Sequence, residues 1–137
     1  MTTETSGSMP PDIESIGKIH FIGGILNAIG GLALVATWAV VGLILTMIVI
    51  GPLLWCFMPF ALASAIVGIC EVLSGSKHKK HVENPSATPI TPPKGLAIGQ
   101  IVVGFLSFNV LQLVLGIMVF MKLKKPEVVA YYESQAS

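Results

Sequence analysis

The feature that most constrains this chain is a stretch of 52 residues, 19–70, that contains no Asp, Glu, Lys or Arg. A helix needs about 20 apolar residues to cross the hydrocarbon of a bilayer, so this stretch accommodates two crossings and a turn. Gly51-Pro52 is the predicted turn, because proline is tolerated at the first position of the returning helix. The sequence therefore predicts a transmembrane helical hairpin over residues 18–73.

The overall composition supports a lipid environment. Charged residues make up 11% and hydrophobic residues 53% of the chain, whereas roughly a quarter of the residues of a soluble domain are charged. The net charge of +1 gives no electrostatic basis for binding nucleic acid. Cys56 and Cys70 lie in apolar sequence and are predicted to be buried, inert thiols. We expect a multi-pass membrane protein that contacts lipids and carries no cofactor.

Two tryptophans and a surplus of apolar residues mark the far end of this hairpin. Trp38 lies about 30 Å along a helix from Lys18, and Trp55 opens the returning helix, so both are predicted at the far membrane interface. Residues 40–50 exceed what two crossings need. They are expected to belong to a long, tilted first helix that another protein partly covers.

Polar segments frame a second apolar run. Residues 1–17 predict a disordered tail, 74–94 a cytoplasmic loop rich in Lys and Pro, and 123–137 a polar tail. The run 95–121 is free of charge and would extend about 40 Å as one helix. Its length favours a third span over 95–122, whereas keeping all lysines on one side favours a re-entrant helical hairpin. The predicted class is an all-α membrane bundle of three transmembrane helices, with two spans plus the hairpin as the alternative.

The closing segment, residues 96–134, resembles that of a loosely defined set of small, uncharacterised bacterial multi-span proteins. In that set an apolar helix with a central Asn leads to Gly-Ile, then to Pro-Glu-Val and an aromatic pair. Here these positions are Asn109, Gly116-Ile117, Pro126-Glu127-Val128 and Tyr131-Tyr132. The resemblance implies a bacterial cytoplasmic membrane and a cytoplasmic C-terminal tail, and it implies no activity.

A face of small residues is predicted on the first helix. Glycine pairs at 23–24 and 30–31 are seven residues apart, which is about two helical turns, so they share one face. Helices in lipid associate through small residues, and an Asn between them can hydrogen-bond to a neighbouring helix. The predicted helix-packing residues are Gly23, Gly24, Asn27, Ala28, Gly30 and Gly31.

Four polar residues within or beside the apolar runs are further candidates. Asn109 and Gln112 are three residues apart and share a helix face. Such amides cost free energy unless they are paired, so they are predicted to join helices or to line a polar path. Glu71 and His20 lie near the same-side ends of the first two helices. For Glu71 we expect an interfacial ion pair with Lys77 or His20 rather than a role in a proton relay.

The lysines after the second helix predict a basic patch. Lys77, Lys79 and Lys80 are expected to attract anionic lipid headgroups. His78 and His81 have a spacing that metal ligands can have. No Cys or carboxylate lies at a matching offset, so no metal site is expected.

The polar segments contain no nucleophile–base pair, carboxylate pair or glycine-rich phosphate loop, and therefore we expect no enzyme. The predicted function is a non-catalytic integral membrane subunit that packs through its small-residue face against other membrane proteins or itself. The alternative is a small homo-oligomeric channel or transporter lined by Asn27, Asn109 and Gln112. A third class is a membrane anchor that contacts lipid through the lysine patch.

Overall fold

The computed structural model describes residues 8–46, 53 and 55–136, and five helices account for most of them. They are α1 (Pro11–Leu45), α2 (Met58–Glu83), α3 (Lys94–Leu106), α4 (Val110–Lys122) and α5 (Pro126–Ala136). No strand occurs in these ranges, so the predicted all-α class is confirmed. The predicted turn at Gly51-Pro52 lies outside the described residues.

α1 and α2 pack against each other as an antiparallel pair over most of their length. Glycines set the distance between the helices. A Cβ added to Gly31 lies 2.5 Å from the backbone nitrogen of Ala65, and one added to Gly68 meets the backbone nitrogen of Ala28. A Cβ on Gly24 likewise lies 2.7 Å from the carbonyl oxygen of Gly68. These positions have no room for a side chain, so the two backbones meet directly.

The small-residue face predicted on α1 is divided between different neighbours. Gly24, Ala28 and Gly31 contact α2, while Gly23 faces α4. Gly30 has no heavy atom within 4 Å of an added Cβ in the described part of the chain, so it lies outside these contacts. Adjacent helical residues point about 100° apart, and therefore the two members of a glycine pair cannot share one neighbour.

α1 and α2 both extend beyond their predicted limits. α1 begins at Pro11, within the predicted N-terminal tail, and α2 continues to Glu83, within the predicted Lys/Pro-rich loop. Proline at the first helical position and acidic residues in the first turn favour the early start of α1. Burial holds both added segments, because Ile16 and His81 are each 0% exposed.

The predicted single helix over 95–122 is wrong, because the chain turns back at Phe108. This residue has a positive φ of 56°, which a right-handed α-helix cannot accommodate. The Asn109 side chain then accepts a hydrogen bond from the Gln112 backbone N–H at 3.2 Å and caps the start of α4. The apolar run is therefore two helices with a tight connection.

α3 and α4 form a hairpin of two 13-residue helices, each about 20 Å long. A Cβ added to Gly104 lies 2.6 Å from the backbone nitrogen of Leu113, and one added to Gly116 lies 2.8 Å from the Gln100 Cβ. Glycines thus allow close approach here as well. Two helices, α1 and α2, are long and apolar enough to cross a membrane, so three crossings are not confirmed.

Several helix ends meet in a small apolar core. They are the start of α1, the segment before α3, the start of α3 and the end of α4, and α5 packs on them. The predicted polar tail after residue 122 is thus mostly helical and contributes to this core. The core residues are Ile13, Ile16, Ile90, Ala97, Val119, Leu123, Val128 and Tyr132.

Asp12 fixes the start of α1 to the end of α4. Its carboxylate accepts hydrogen bonds from Lys122 and, at 2.6 Å, from Lys125. The hydrogen bond to Asp12 raises the pKa of the Lys125 ammonium group. The end of α2 joins this region, because His81 is hydrogen-bonded to Tyr131 on α5. Each of the eight lysines of the chain lies within about two helical turns of one of these helix ends, so we call this region the lysine end.

The opposite end, which we call the far end, is built from α1 beyond residue 31 and the beginning of α2. The Trp38 ring stacks on Phe57 with 5.8 Å between centroids, and Trp55 packs over Gly42. The turn of the α3–α4 hairpin contacts α2 at Ser64, seven residues after Phe57 in the sequence.

The outer surface of the far end is apolar. Leu43 is 68% and Ile44 66% exposed. The sequence predicts Cys56 and Cys70 as buried thiols, and this is wrong. Cys56 at this end and Cys70 farther along α2 are both exposed. Apolar side chains in α1 and α2 therefore face outward far more than a packed core permits.

We expect Gly31→Leu to destabilise the fold, and Gly30→Leu to leave it intact. A Leu at position 31 meets the Ala65 backbone, and overpacking of this kind costs about 1–3 kcal/mol. Position 30 is open and serves as the matched control. Thermal unfolding of both purified variants in one detergent, followed by circular dichroism, gives the measurement. Equal melting temperatures contradict the close contact at Gly31.

Candidate functional site: a buried polar cluster

Six polar side chains from α1, α2, α3 and α4 lie together inside the helix bundle. Each is 0% exposed, and we call them the polar cluster: His20, Asn27, Ser64, Glu71, Gln100 and Gln112. Burying such groups costs free energy unless they are hydrogen-bonded. Burial of the cluster therefore costs folding free energy, which makes the cluster the candidate functional site.

Seven-residue spacing brings four members of the cluster to the α1–α2 interface. His20 and Asn27 are seven residues apart on α1, and Ser64 and Glu71 are seven apart on α2. A step of seven residues is about two helical turns, so each pair lies along one helix face. These faces adjoin the glycine contacts, and the polar side chains consequently meet where the two backbones are closest.

Hydrogen bonds join the cluster across the helices. Asn27 Nδ2 donates to Glu71 Oε2 at 2.9 Å, which links α1 to α2. Ser64 Oγ donates to Gln112 Oε1 at 2.6 Å, which links α2 to α4. Asn109 Nδ2 donates to Ser64 Oγ at 3.3 Å and adds the turn of the hairpin. Of the polar residues that the sequence singles out, these bonds join Asn27 to Glu71, and they join both Asn109 and Gln112 to Ser64.

Glu71 does not form the predicted interfacial ion pair. Its carboxylate is enclosed and bonded to Asn27, and it forms no salt bridge with any described residue. Of the two predicted partners, Lys77 is exposed and His20 is hydrogen-bonded to Ser74. The expectation fails because α2 continues to Glu83, which places Glu71 about three turns inside the helix rather than at its end.

The cluster contains polar atoms that have no hydrogen-bond partner among the described residues. The Gln100 amide lies beside both Glu71 and His20 without full hydrogen-bonding geometry to either. Each unpaired buried group costs about 1–3 kcal/mol. The cluster thus contains more hydrogen-bond donors and acceptors than the hydrogen bonds between its members use. The unpaired atoms are Asn27 Oδ1, Glu71 Oε1, Gln100 Oε1, His20 Nε2, Gln100 Nε2 and Gln112 Nε2.

Two histidine–tyrosine pairs lie at the lysine end. Tyr132 donates its hydroxyl hydrogen to His78 Nε2 at 2.8 Å, and Tyr131 donates to His81 Nε2 at 2.6 Å. The Nδ1–H of each ring donates to a backbone carbonyl, at 2.9 Å for His78 and 2.7 Å for His81. Because a carbonyl can only accept, these bonds assign the proton to Nδ1 and leave Nε2 as the acceptor.

Burial supports the donor role of both tyrosines. It raises the pKa of Tyr131 and Tyr132, so their hydroxyls remain protonated at neutral pH. Both nitrogens of each partner histidine are already engaged. Within the part of the chain that the structure describes, no three His, Cys, Asp or Glu residues are grouped to hold a metal ion.

The lysine patch predicted after α2 is part of that helix and not of a loop. Lys77, Lys79 and Lys80 are exposed on its outer face. His78 and His81, three residues apart, point inward to the tyrosines. Helical spacing thus separates the basic groups from the imidazoles, and the lysines remain accessible.

Sequence reasoning missed Ser64, Gln100 and the tyrosine partners of the histidines. The spacing of Ser64, Glu71 and His78, seven residues at each step, could have shown that these polar residues share one face of α2. No local signal identifies Gln100, because its position depends on the fold-back of α3 on α4.

Comparisons with protein-family models, with curated proteins and with solved structures find no match to this chain.

A double-mutant cycle tests the His78–Tyr132 pair. Tyr132→Phe leaves the buried His78 Nε2 without a donor, so we expect a loss of about 1–3 kcal/mol in the free energy of unfolding. Combining it with His78→Leu removes both partners, and the double variant should lose less than the sum of the two single losses. Strict additivity in chemical unfolding contradicts a coupled pair.

Proposed function

We propose that this chain is a non-catalytic integral membrane subunit in which α1 and α2 cross the bilayer and the α3–α4 hairpin enters it from the lysine end and returns. The low burial of its most apolar helices carries this proposal. The most hydrophobic window of α1 has a mean hydropathy of 2.3 with 11% of its residues buried, and that of α2 has 1.7 with 33%. The core helix of a soluble protein is mostly buried, so these surfaces require lipid or other membrane helices around them.

The distribution of lysines supports one orientation. All eight lie at one end of the bundle, and the positive-inside tendency assigns that end to the cytoplasm. A third crossing would carry Lys122, Lys124 and Lys125 to the opposite side. The hairpin helices are about 20 Å long against roughly 30 Å of hydrocarbon, which favours re-entry over crossing.

The far end supplies the surface for other membrane proteins. Gly24 and Gly31 are already used within the chain, so the proposed contact surface lies beyond the hairpin turn, around Val40, Leu43 and Ile44. These side chains are 56%, 68% and 66% exposed. The turn of the hairpin contacts α2 at Ser64, and the described part of α1 beyond that level presents these side chains to a second copy or another subunit.

One observation favours the alternative, a small homo-oligomeric channel or transporter lined by Asn27, Asn109 and Gln112. These amides do converge, around Ser64 and Glu71, and several of their atoms are unpaired. Asn27 and Gln112 are fully enclosed, however. Conduction would therefore require the hairpin to move away from α1 and α2.

Labelling of single cysteines tests the orientation. We expect cysteines replacing Ser8, Ser86 and Ser134, in a Cys56→Ala, Cys70→Ala background, to resist an impermeant maleimide in intact cells and to react after lysis. All three positions belong to segments at the lysine end. Labelling of the Ser134→Cys variant in intact cells contradicts the re-entrant hairpin and restores the third crossing.

Photo-crosslinking tests the contact surface at the far end. A benzophenone side chain at Leu43, 68% exposed, is compared with one at Ile98, which is 50% exposed on α3. We expect a crosslinked product of defined mass from position 43, and a complex of matching stoichiometry in the native mass spectrum after extraction in mild detergent. A monomeric mass with no product from position 43, or equal products from both positions, rules the proposal out.

A further inference from the structure

Glu71 is a carboxyl group that has no counter-ion among the residues that the structure describes. It is 0% exposed, and the side chains packed around it from the other helices are uncharged amides. The titratable member of the cluster beside the Gln100 amide is His20, and the ring of His78 lies 6.5 Å from that of His20. An ionised carboxylate in such surroundings is strongly unfavourable unless a cation or a proton neutralises it. The amides facing Glu71 are those of Asn27, Gln100 and Gln112.

We propose that Glu71 is a reversible proton-binding site that exchanges its proton with water at the lysine end by way of His20 and Ser74. The inference goes beyond the proposed subunit function and does not depend on a partner. It rests on the geometry around Gln100, whose amide lies between Glu71 and His20 with both of its polar atoms unpaired.

With a proton on Glu71 Oε1, the neighbouring groups form a neutral chain of hydrogen bonds. The Glu71 O–H donates to Gln100 Oε1, and Gln100 Nε2–H donates to His20 Nε2. The His20 Nδ1–H then donates to Ser74 Oγ, 3.2 Å away. Asn27 continues to donate to Glu71 Oε2. This arrangement gives partners to four of the six unpaired atoms, and one bound proton is sufficient for it.

The same side chains also accommodate the ionised state. When the Gln100 amide turns over, its Nε2–H donates to Glu71 Oε1, and its Oε1 accepts from His20 Nε2–H. The Ser74 hydroxyl then donates to His20 Nδ1. Both protonation states are thus hydrogen-bonded, which a site of reversible exchange requires.

Proton transfers along the chain connect these two states. The Glu71 proton passes to Gln100 Oε1, and this oxygen delivers it to His20 Nε2 when the amide turns over. The His20 Nδ1 proton leaves through the Ser74 hydroxyl to water, and the Gln100 amide ends in its original uncharged form. Ser74 lines a surface cavity of about 400 Å³ together with Lys77 and Thr91. Water at the lysine end therefore reaches the outer member of the chain, while Glu71 itself stays enclosed.

Infrared spectroscopy of the full chain in lipid nanodiscs tests the site. We expect the carbonyl band of a protonated carboxylic acid at neutral pH, and its loss in Glu71→Gln, which keeps the size and hydrogen bonding of the protonated group. Glu133→Gln, at an exposed position on α5, is the matched control and should keep the band. Absence of the band from the wild type, or its persistence in Glu71→Gln, overturns the proposal.

The exchange path and the identity of the ligand have separate readouts in the same preparation. Transfer into D₂O should shift the band, and His20→Gln should slow that shift while leaving the band in place. An equal rate in wild type and His20→Gln overturns the path. Loss of the band when NaCl replaces KCl at constant pH assigns the site to sodium instead of a proton and overturns the proposal. An unchanged band supports it.

Discussion

The direct contact between the backbones of α1 and α2 is the constraint on which the rest of the structure depends. Where Gly31 meets Ala65 and Gly68 meets Ala28, no side chain separates the helices. Only at such a short distance can the Asn27 amide span from α1 to the Glu71 carboxylate at 2.9 Å. The glycines therefore determine how the two helices pack, and this packing determines the position of the Glu71 carboxyl group.

The α3–α4 hairpin completes this arrangement, because it closes the polar cluster from the third side. Its turn at Phe108 returns the chain, and the close approach at Gly104 and Gly116 aligns the two short helices so that Gln100 and Gln112 both face α2. Without the hairpin, the polar face of α1 and α2 would be open. With the hairpin in place, the same residues form an enclosed site, in which the absence of water makes an unpaired polar group or an ionised carboxylate unfavourable.

The lysine end connects this interior to its surroundings. Asp12, the two histidine–tyrosine pairs and the small apolar core hold the start of α1 and the helix α5 against the ends of the other helices. Charged groups are gathered at that end, and the far end is apolar. This asymmetry is the basis for the proposed orientation, the proposed contact surface and the direction from which a proton would reach Glu71.

The sequence by itself determined the helical class and the two long apolar helices, because a 52-residue stretch without charge leaves few other choices. It also indicated Asn27, Asn109 and Gln112 as polar residues in need of partners. The tertiary structure alone decided the turn at Phe108, the extension of α2 to Glu83 and the neighbours of Glu71. Apolar composition is compatible with one helix or two over 95–121. The choice between them depends on contacts between residues that are distant in sequence, and local patterns carry no record of those contacts.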